Sequence, residues 1–209
     1  MRNHKYVLGV EVSDLRNYDE QLYEKLYVNP LEVLKIMEGA VKSYLKEHKD
    51  EFPANKDEEW QVLLRSDDNP LKIRDIKSNM VSRMFVISGI IISCTKPFIK
   101  ASKLKLECKS CRNSKTIELA PGQYPYVPSF CEGQVGHTQK CPKDSFVALP
   151  TSEVIDAQHM KIQEFPEDVP VGEVARTYSL VLDRRNVSKC TPGDRVKITG
   201  VMLVNDMKT

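Results

Sequence analysis

The chain has 209 residues, 41% hydrophobic and 29% charged, with a net charge of +2 and a pI near 8.1. That length suits one large domain or two small ones, and the near-neutral balance neither demands nor excludes nucleic acid, so the placement of the charges decides. No run of about 18 apolar residues exists, which excludes a membrane-spanning helix, and no membrane partner is expected.

The opening, MRNHKYVLGVEVSD, lacks the apolar core and cleavage site of a secretory signal. KYVLGVEV has strand character, and residues to about 50 then read as helical. NYDEQLYEKLYV spaces Leu22 and Leu26, and Tyr23 and Tyr27, four apart. NPLEVLKIMEGAVKSYLKEH starts a second helix, with Asn29 as N-cap, Pro30 at the first helical position and an apolar stripe of Leu31, Leu34, Val41 and Leu45. The charged stretch 50–59, with Pro53, reads as a connecting loop and WQVLLR as a short strand. SDDNPLKIRDIKSNMVSRM reads as a loop followed by a short helical turn.

From Met84 the periodicity changes. MFVISGIIIS is a continuous apolar run that reads as a buried strand, with a bulge or tight bend at Gly89. KLKLEC alternates, turning Leu104 and Leu106 inward and Lys103 and Lys105 outward. QHMKIQE, RTYSLVLD and RVKITGVML are three more β-rich segments, the last preceded by the turn TPGD. The pattern predicts an α+β chain: an N-terminal helical subdomain, then about five strands closing into a barrel of the oligonucleotide-binding (OB) type, with an insertion between strands.

The insertion carries the chemistry. Cys108 and Cys111 stand two residues apart in CKSC, the spacing of a zinc knuckle. Cys131 follows after 19 residues and Cys141 after nine more. A wide loop closes at modest entropic cost, so these four thiols predict a structural zinc site, with His137 as an alternative to Cys131. Four thiolates leave no position for water, so such an ion organises the fold and does not catalyse. Cys94 and Cys190 read as buried thiols. No phosphate-cradling glycine loop and no nucleophile–base set is present, which speaks against a catalytic module.

KSNMVSRMFVISGIIIS followed by LECKSC, and the long run IDAQHMKIQEFPEDVPVGEVARTYSLVLDRRNVSKCTPGDRVKITG, resemble the N-terminal region of the minichromosome maintenance (MCM) proteins, the subunits of a replicative DNA helicase. The wide Cys131–Cys141 gap is most like the branch of eukaryotic subunit five. The resemblance covers nearly the whole chain. It implies a helical subdomain over 1–65, an OB barrel over 66–107 and 150–209, and a zinc insertion over 108–149. It favours Cys131 over His137 in a site of Cys108, Cys111, Cys131 and Cys141. It also implies a nuclear protein whose parent chain carries an AAA+ module using ATP and Mg²⁺. GVMLVNDMKT then falls just before the family's N-terminal β-hairpin, so the chain reads as an N-terminal fragment. The implied partners are the other subunits of a hetero-hexamer (subunits two and three as neighbours), single- or double-stranded DNA, and replication loading and fork factors.

Phosphates call for cations and single strands for basic grooves with stacking faces. The candidate DNA contacts are Lys96, Lys100 and Lys103, with Phe98 as a stacking face, together with Arg176, Arg195 and Lys197; Arg184 and Arg185 rank below them. Lysines alternating along a strand are ordinarily its solvated face. In VARTYS, Ala175 stands where the family has a proline. Gln163 and Glu164 match the family's loop that meets the ATPase tier. The competing expectation is an interaction scaffold that makes no direct DNA contact; a metal-dependent enzyme needs an open coordination position that this pattern lacks.

Overall fold

The computed structural model describes residues 7–48, 60–119, 127–135 and 139–204. The expected 50–59 loop and His137 lie outside the described residues. The chain forms two compact units, one of residues 1–95, 159–180 and 188–209, the other of residues 96–158 and 181–187.

The first unit begins with strand β1 (Val7–Glu11) and helices α1 (Val12–Tyr18), α2 (Glu20–Val28) and α3 (Pro30–Glu47), and returns in β2 (Gln61–Arg65), which pairs parallel with β1. Asp19 caps α2, its carboxylate accepting from the N–H groups of Gln21 (2.9 Å) and Leu22 (3.2 Å). Asn29 is the N-cap of α3 by position but makes no side-chain capping bond; the fixed φ of buried Pro30 starts that helix. The helices bury one cluster, Val12, Leu26, Val33 and Met84, with Leu15, Leu22, Tyr23, Tyr27, Met37 and Leu64 packed on it. The expected stripe of Leu31, Leu34, Val41 and Leu45 is only half-buried, because Val33 sits at the centre of the contact. No described helix is long and apolar enough to cross a membrane.

Two 3₁₀ turns, Ile73–Asp75 and Ser78–Met80, lead into β3 (Met84–Cys94). The sheet continues with β4 (Phe98–Cys108) and β5 (Ser114–Glu118). The short strands β6 (Gln134–Val135) and β7 (Gln139–Lys140) form a separate ribbon, and β8 (Phe146–Ala148), β9 (Glu153–Gln163), β10 (Thr177–Asp183) and β11 (Arg195–Val201) complete the set. The main sheet runs β11–β3–β9–β4–β5, with β10 against β9 and β8 against β4. One edge of β4 carries β5; the other carries β9 along its first half and β8 at its end.

The expected closed five-stranded barrel is corrected to an open sheet of OB type. Among the described residues no pairing joins the ends of the strand path into a ring. The two halves of β9 pair with different strands, residues 153–157 with β4 and 160–163 with β3. The late strands β10 and β11 hold no fully buried residue, so they lack the two covered faces of a closed wall. Gly89 is also not the irregular point of β3: the register shift falls between Ile91 and Ser93. A Cβ at Gly89 would lie 2.4 Å from the Gln163 carbonyl oxygen and 2.9 Å from Ile162 Cγ1. Close approach of β9 therefore requires glycine there. The alternation along β4 is as expected, with Leu104 and Leu106 buried.

Candidate metal centre and nucleic-acid interface

At the end of β4 the chain turns sharply. The N–H of Arg112 donates to the Cys108 carbonyl and the N–H of Cys108 to the Asn113 carbonyl, both at 2.9 Å. Arg112 takes a left-handed φ of 55°, which aims the knuckle back on itself. A second segment meets it: Lys109 N–H donates to the Ser145 carbonyl at 2.9 Å and Asp144 N–H to the Ser129 carbonyl at 2.7 Å. These bonds bring the two distant cysteines onto the knuckle.

The four sulfurs of Cys108, Cys111, Cys131 and Cys141 all lie within 4.8 Å of one another. All four are free thiols, and Cys111 Sγ and Cys131 Sγ are 3.6 Å apart. Four thiolates around one ion at about 2.3 Å stand about 3.8 Å from each other in a tetrahedron, so the set fits a single metal ion. Gly133 closes the cage. A Cβ there would come within 2.6 Å of Cys111 Sγ and 3.3 Å of Cys131 Sγ. Its N–H donates to Cys131 Sγ at 3.3 Å, and its carbonyl accepts from Cys141 at 3.2 Å. Ser145, itself buried, meets Cys108 Sγ at 3.3 Å.

The hydroxyl of Ser145, then the N–H groups of Cys111 and Ser110, pull Cys108 down to about 6, while burial first and the neighbouring sulfurs next push Cys141 up to about 12. One thiolate resists the next, the conflict that a divalent cation relieves. In the sequence Gly133 is just one glycine of the wide loop, and Ser145 carries no signal at all.

The candidate DNA contacts divide equally between the units: Lys96, Lys100 and Lys103 in one, Arg176, Arg195 and Lys197 in the other. Lys96 is exposed. Lys100 pairs opposite Ile155 while Phe98 pairs opposite buried Ala157, which puts all four on one face of the β4–β9 pair. Lys100 is half-buried there; burial lowers its pKa, with Asp183 opposing. Lys103 bridges to Glu153 at 2.9 Å. Arg195 bonds Glu167 at 2.7 Å and lies over the Phe165 ring, 4.9 Å from its centroid. Lys197 is exposed on the same face of β11 as Arg195.

Glu164 is the most deeply buried charged side chain described, at 2% exposure. Arg74 holds it through Nε and NH2 at 2.8–3.2 Å, donates also to Glu173, and reaches the Val174 carbonyl at 3.3 Å. Arg176 N–H donates to Glu164 Oε1 at 3.0 Å, and its guanidinium to the Arg74 carbonyl at 3.3 Å. The Arg74 hydrogen bonds hold the Glu164 carboxyl below its usual range against burial. Glu164, Glu173 and Arg176 are thereby tied to the turn at Ile73–Asp75. Sequence reasoning missed Arg74, which lies 90 residues from its partner. Gln163 pairs with Ile90 in the ladder.

Residues 1–66 match the family described as MCM N-terminal domain and residues 72–206 the MCM OB domain. The chain is 39% identical over 202 residues to the DNA replication licensing factor mcm5-B of Xenopus laevis, covering 94% of this chain and 28% of that protein. It is 35% identical to mcm-5 of Caenorhabditis elegans (98% of this chain, 28% of that protein) and 32% identical to MCM5 of Arabidopsis thaliana (93% and 28%). The chain thus spans a little over a quarter of these relatives' length.

Proposed function

The chain belongs to the MCM family, and from that membership we propose that it is the DNA-binding and ring-assembly tier of one subunit of a hexameric replicative helicase, acting in origin licensing, initiation and fork unwinding. Its relatives are named as DNA replication licensing factors. A nuclear site of action and assembly with other MCM subunits, with two and three as neighbours, follow from that reading, as do loading and fork factors as partners. ATP, Mg²⁺ and strand separation are assigned to a module of the parent protein. The proposed subdivision is 1–65 helical, 66–107 and 150–209 OB, and 108–149 zinc insertion, with Zn²⁺ held by Cys108, Cys111, Cys131 and Cys141 as a structural ion. Gln163 and Glu164 are assigned to communication with the ATPase tier. An unchanged DNA-stimulated ATPase in the Gln163→Ala complex would contradict that role.

The observation that best supports DNA contact is Lys197 and Arg195 exposed together on a strand of an OB-type sheet, with Lys96 exposed ahead of β4. The test is fluorescence anisotropy with a single-stranded oligonucleotide across a salt series. Two or three phosphate contacts give a log–log slope of roughly −1.4 to −2.1, reduced by about one contact in Lys197→Ala.

The scaffold reading has its own support. Lys103 and Arg195 already hold acidic partners, and Lys100 is half-buried. Absence of binding even at low salt would favour it, leaving DNA to neighbouring subunits acting together.

A further inference from the structure

Two cysteines stand outside the four-thiol cluster. Cys94 is the last residue of β3, and Cys190 directly precedes the turn into β11. They are 96 residues apart, yet the Cys94 thiol lies 3.9 Å from the Cys190 carbonyl oxygen. Both are half-buried free thiols.

The backbone around them is firmly registered. Gly193 N–H donates to the Ile91 carbonyl at 2.7 Å, and Ile91 N–H to the Asp194 carbonyl at 3.0 Å. The Asp194 carboxylate accepts from Thr191 N–H at 2.7 Å and from its hydroxyl at 3.0 Å, fixing the turn. Thr95 N–H donates to the His159 carbonyl at 2.9 Å on the far side of Cys94. Antiparallel pairing of Arg195 with Ile90 carries the ladder toward this point. Carried on residue by residue, that register sets Thr191 opposite Cys94 and Cys190 one position beyond it, and the 3.9 Å approach of the Cys94 thiol to the Cys190 carbonyl is the contact on which a bridge would rest. Rotation of Cys190 about χ1 moves its sulfur without disturbing the turn.

We infer that Cys94 and Cys190 form a dithiol pair that closes to a disulfide under peroxide. One thiolate attacks the peroxide O–O bond; an S–O bond forms, O–O breaks, and water leaves. The second thiolate attacks that sulfur; S–S forms, S–O breaks, and a second water leaves. Hydrogen peroxide is the two-electron oxidant, and both sulfurs share the oxidation. The bond joins the end of β3 to the segment before the turn into β11, fixing the approach to the strand that carries Arg195 and Lys197. Burial raises the Cys94 thiol above its usual range, which makes Cys94 a slow nucleophile and the pair a sensor of sustained oxidant.

The test treats the zinc-loaded chain with hydrogen peroxide, blocks remaining thiols, and maps peptides by mass spectrometry without reductant. The expected result is a Cys94–Cys190 linked peptide with loss of two hydrogens, reversed by dithiothreitol, with zinc retained. The closed loop raises the melting temperature by roughly 5–10 °C. Cys190→Ser and Cys94→Ala each abolish the linked peptide while keeping the melting temperature of the reduced wild type, which reports that they fold. Overoxidation of either cysteine to the sulfinic acid without a cross-link would overturn the inference. So would a melting shift of equal size in wild type and Cys190→Ser.

Discussion

The thiol cluster and the Glu164 anchor each hold a loop in place, by opposite means. Around the cluster, short hydrogen bonds aim four sulfurs of one kind at a single point. Around Glu164, its carboxylate and the Arg74 guanidinium tie segments 90 residues apart, satisfied by each other, by Glu173 and by backbone groups. A cage of four thiolates stays in conflict with itself until a cation arrives; a buried ion pair is complete as it stands. Metal should therefore govern the first region and leave the second indifferent.

The largest expected effect comes from Cys108→Ser. Structural zinc contributes about 10–16 kcal/mol of apparent binding energy in small zinc modules, so this change should abolish stoichiometric zinc by elemental analysis and unfold the insertion. Amide protection around Glu164 should persist. Loss of protection in both regions together would end the contrast between them.

Gly133→Ala comes next. All four ligands remain, but the new methyl meets Cys111 Sγ at 2.6 Å. Zinc affinity measured by chelator competition should fall roughly 10–100-fold, the usual cost of disturbing the groups around metal ligands. Unchanged affinity would mean that the cage is softer than its packing indicates.

Glu164→Gln should lower the melting temperature and leave zinc content intact. The same region carries an acid signature of definite sign. The folded Glu164 carboxyl lies below its usual 4.5, so its contribution is fully present above that value and is lost as pH falls through the depressed folded one. Zinc held by the four cysteines should leave at higher pH, because protons compete with it for thiolate. Stepwise acidification followed by zinc release and near-ultraviolet dichroism should thus show two separated transitions in wild type. The lower one should be diminished in the Glu164→Gln variant.

Lys103→Ala should have the smallest effect. Its bridge to Glu153 is largely exposed, with side chains 39% and 48% accessible, and such pairs contribute about 0–1 kcal/mol. A larger loss in melting would show that this edge of β4 matters more than its exposure suggests.

The same comparison explains what could be read in advance. Cysteine has few reasons to recur at knuckle spacing, so four of them announced their site even across a nine-residue gap. Arginine and glutamate are abundant at any surface, and nothing local in LKIRDI marks Arg74 as the partner of a residue 90 positions on. Periodicity placed α2, α3 and β4 because one face of each is buried, whereas β3 showed as an unbroken apolar run because both its faces hold buried residues. Closure into a barrel was not legible, since it depends on which edges meet, and alternation within a strand says nothing of that. The placement of Lys100 was not legible either: residues three apart fall on opposite faces of an alternating strand, so an outward Lys103 says nothing of Lys100, which is half-buried.

The pairing of β1 with β2 has a consequence for handling the molecule. The two strands run parallel, so all three helices lie in the connection between them. That pairing should close late in folding, after the loop entropy of the helical segment has been overcome. Among the described residues β1 is the only strand beside β2. Trimming the first dozen residues would leave Val62, Leu63 and Leu64 on an open edge with unsatisfied backbone donors, a surface that recruits other chains edge to edge. Shortened versions should therefore precipitate or self-associate during refolding, and an N-terminal tag belongs on a flexible spacer ahead of Val7.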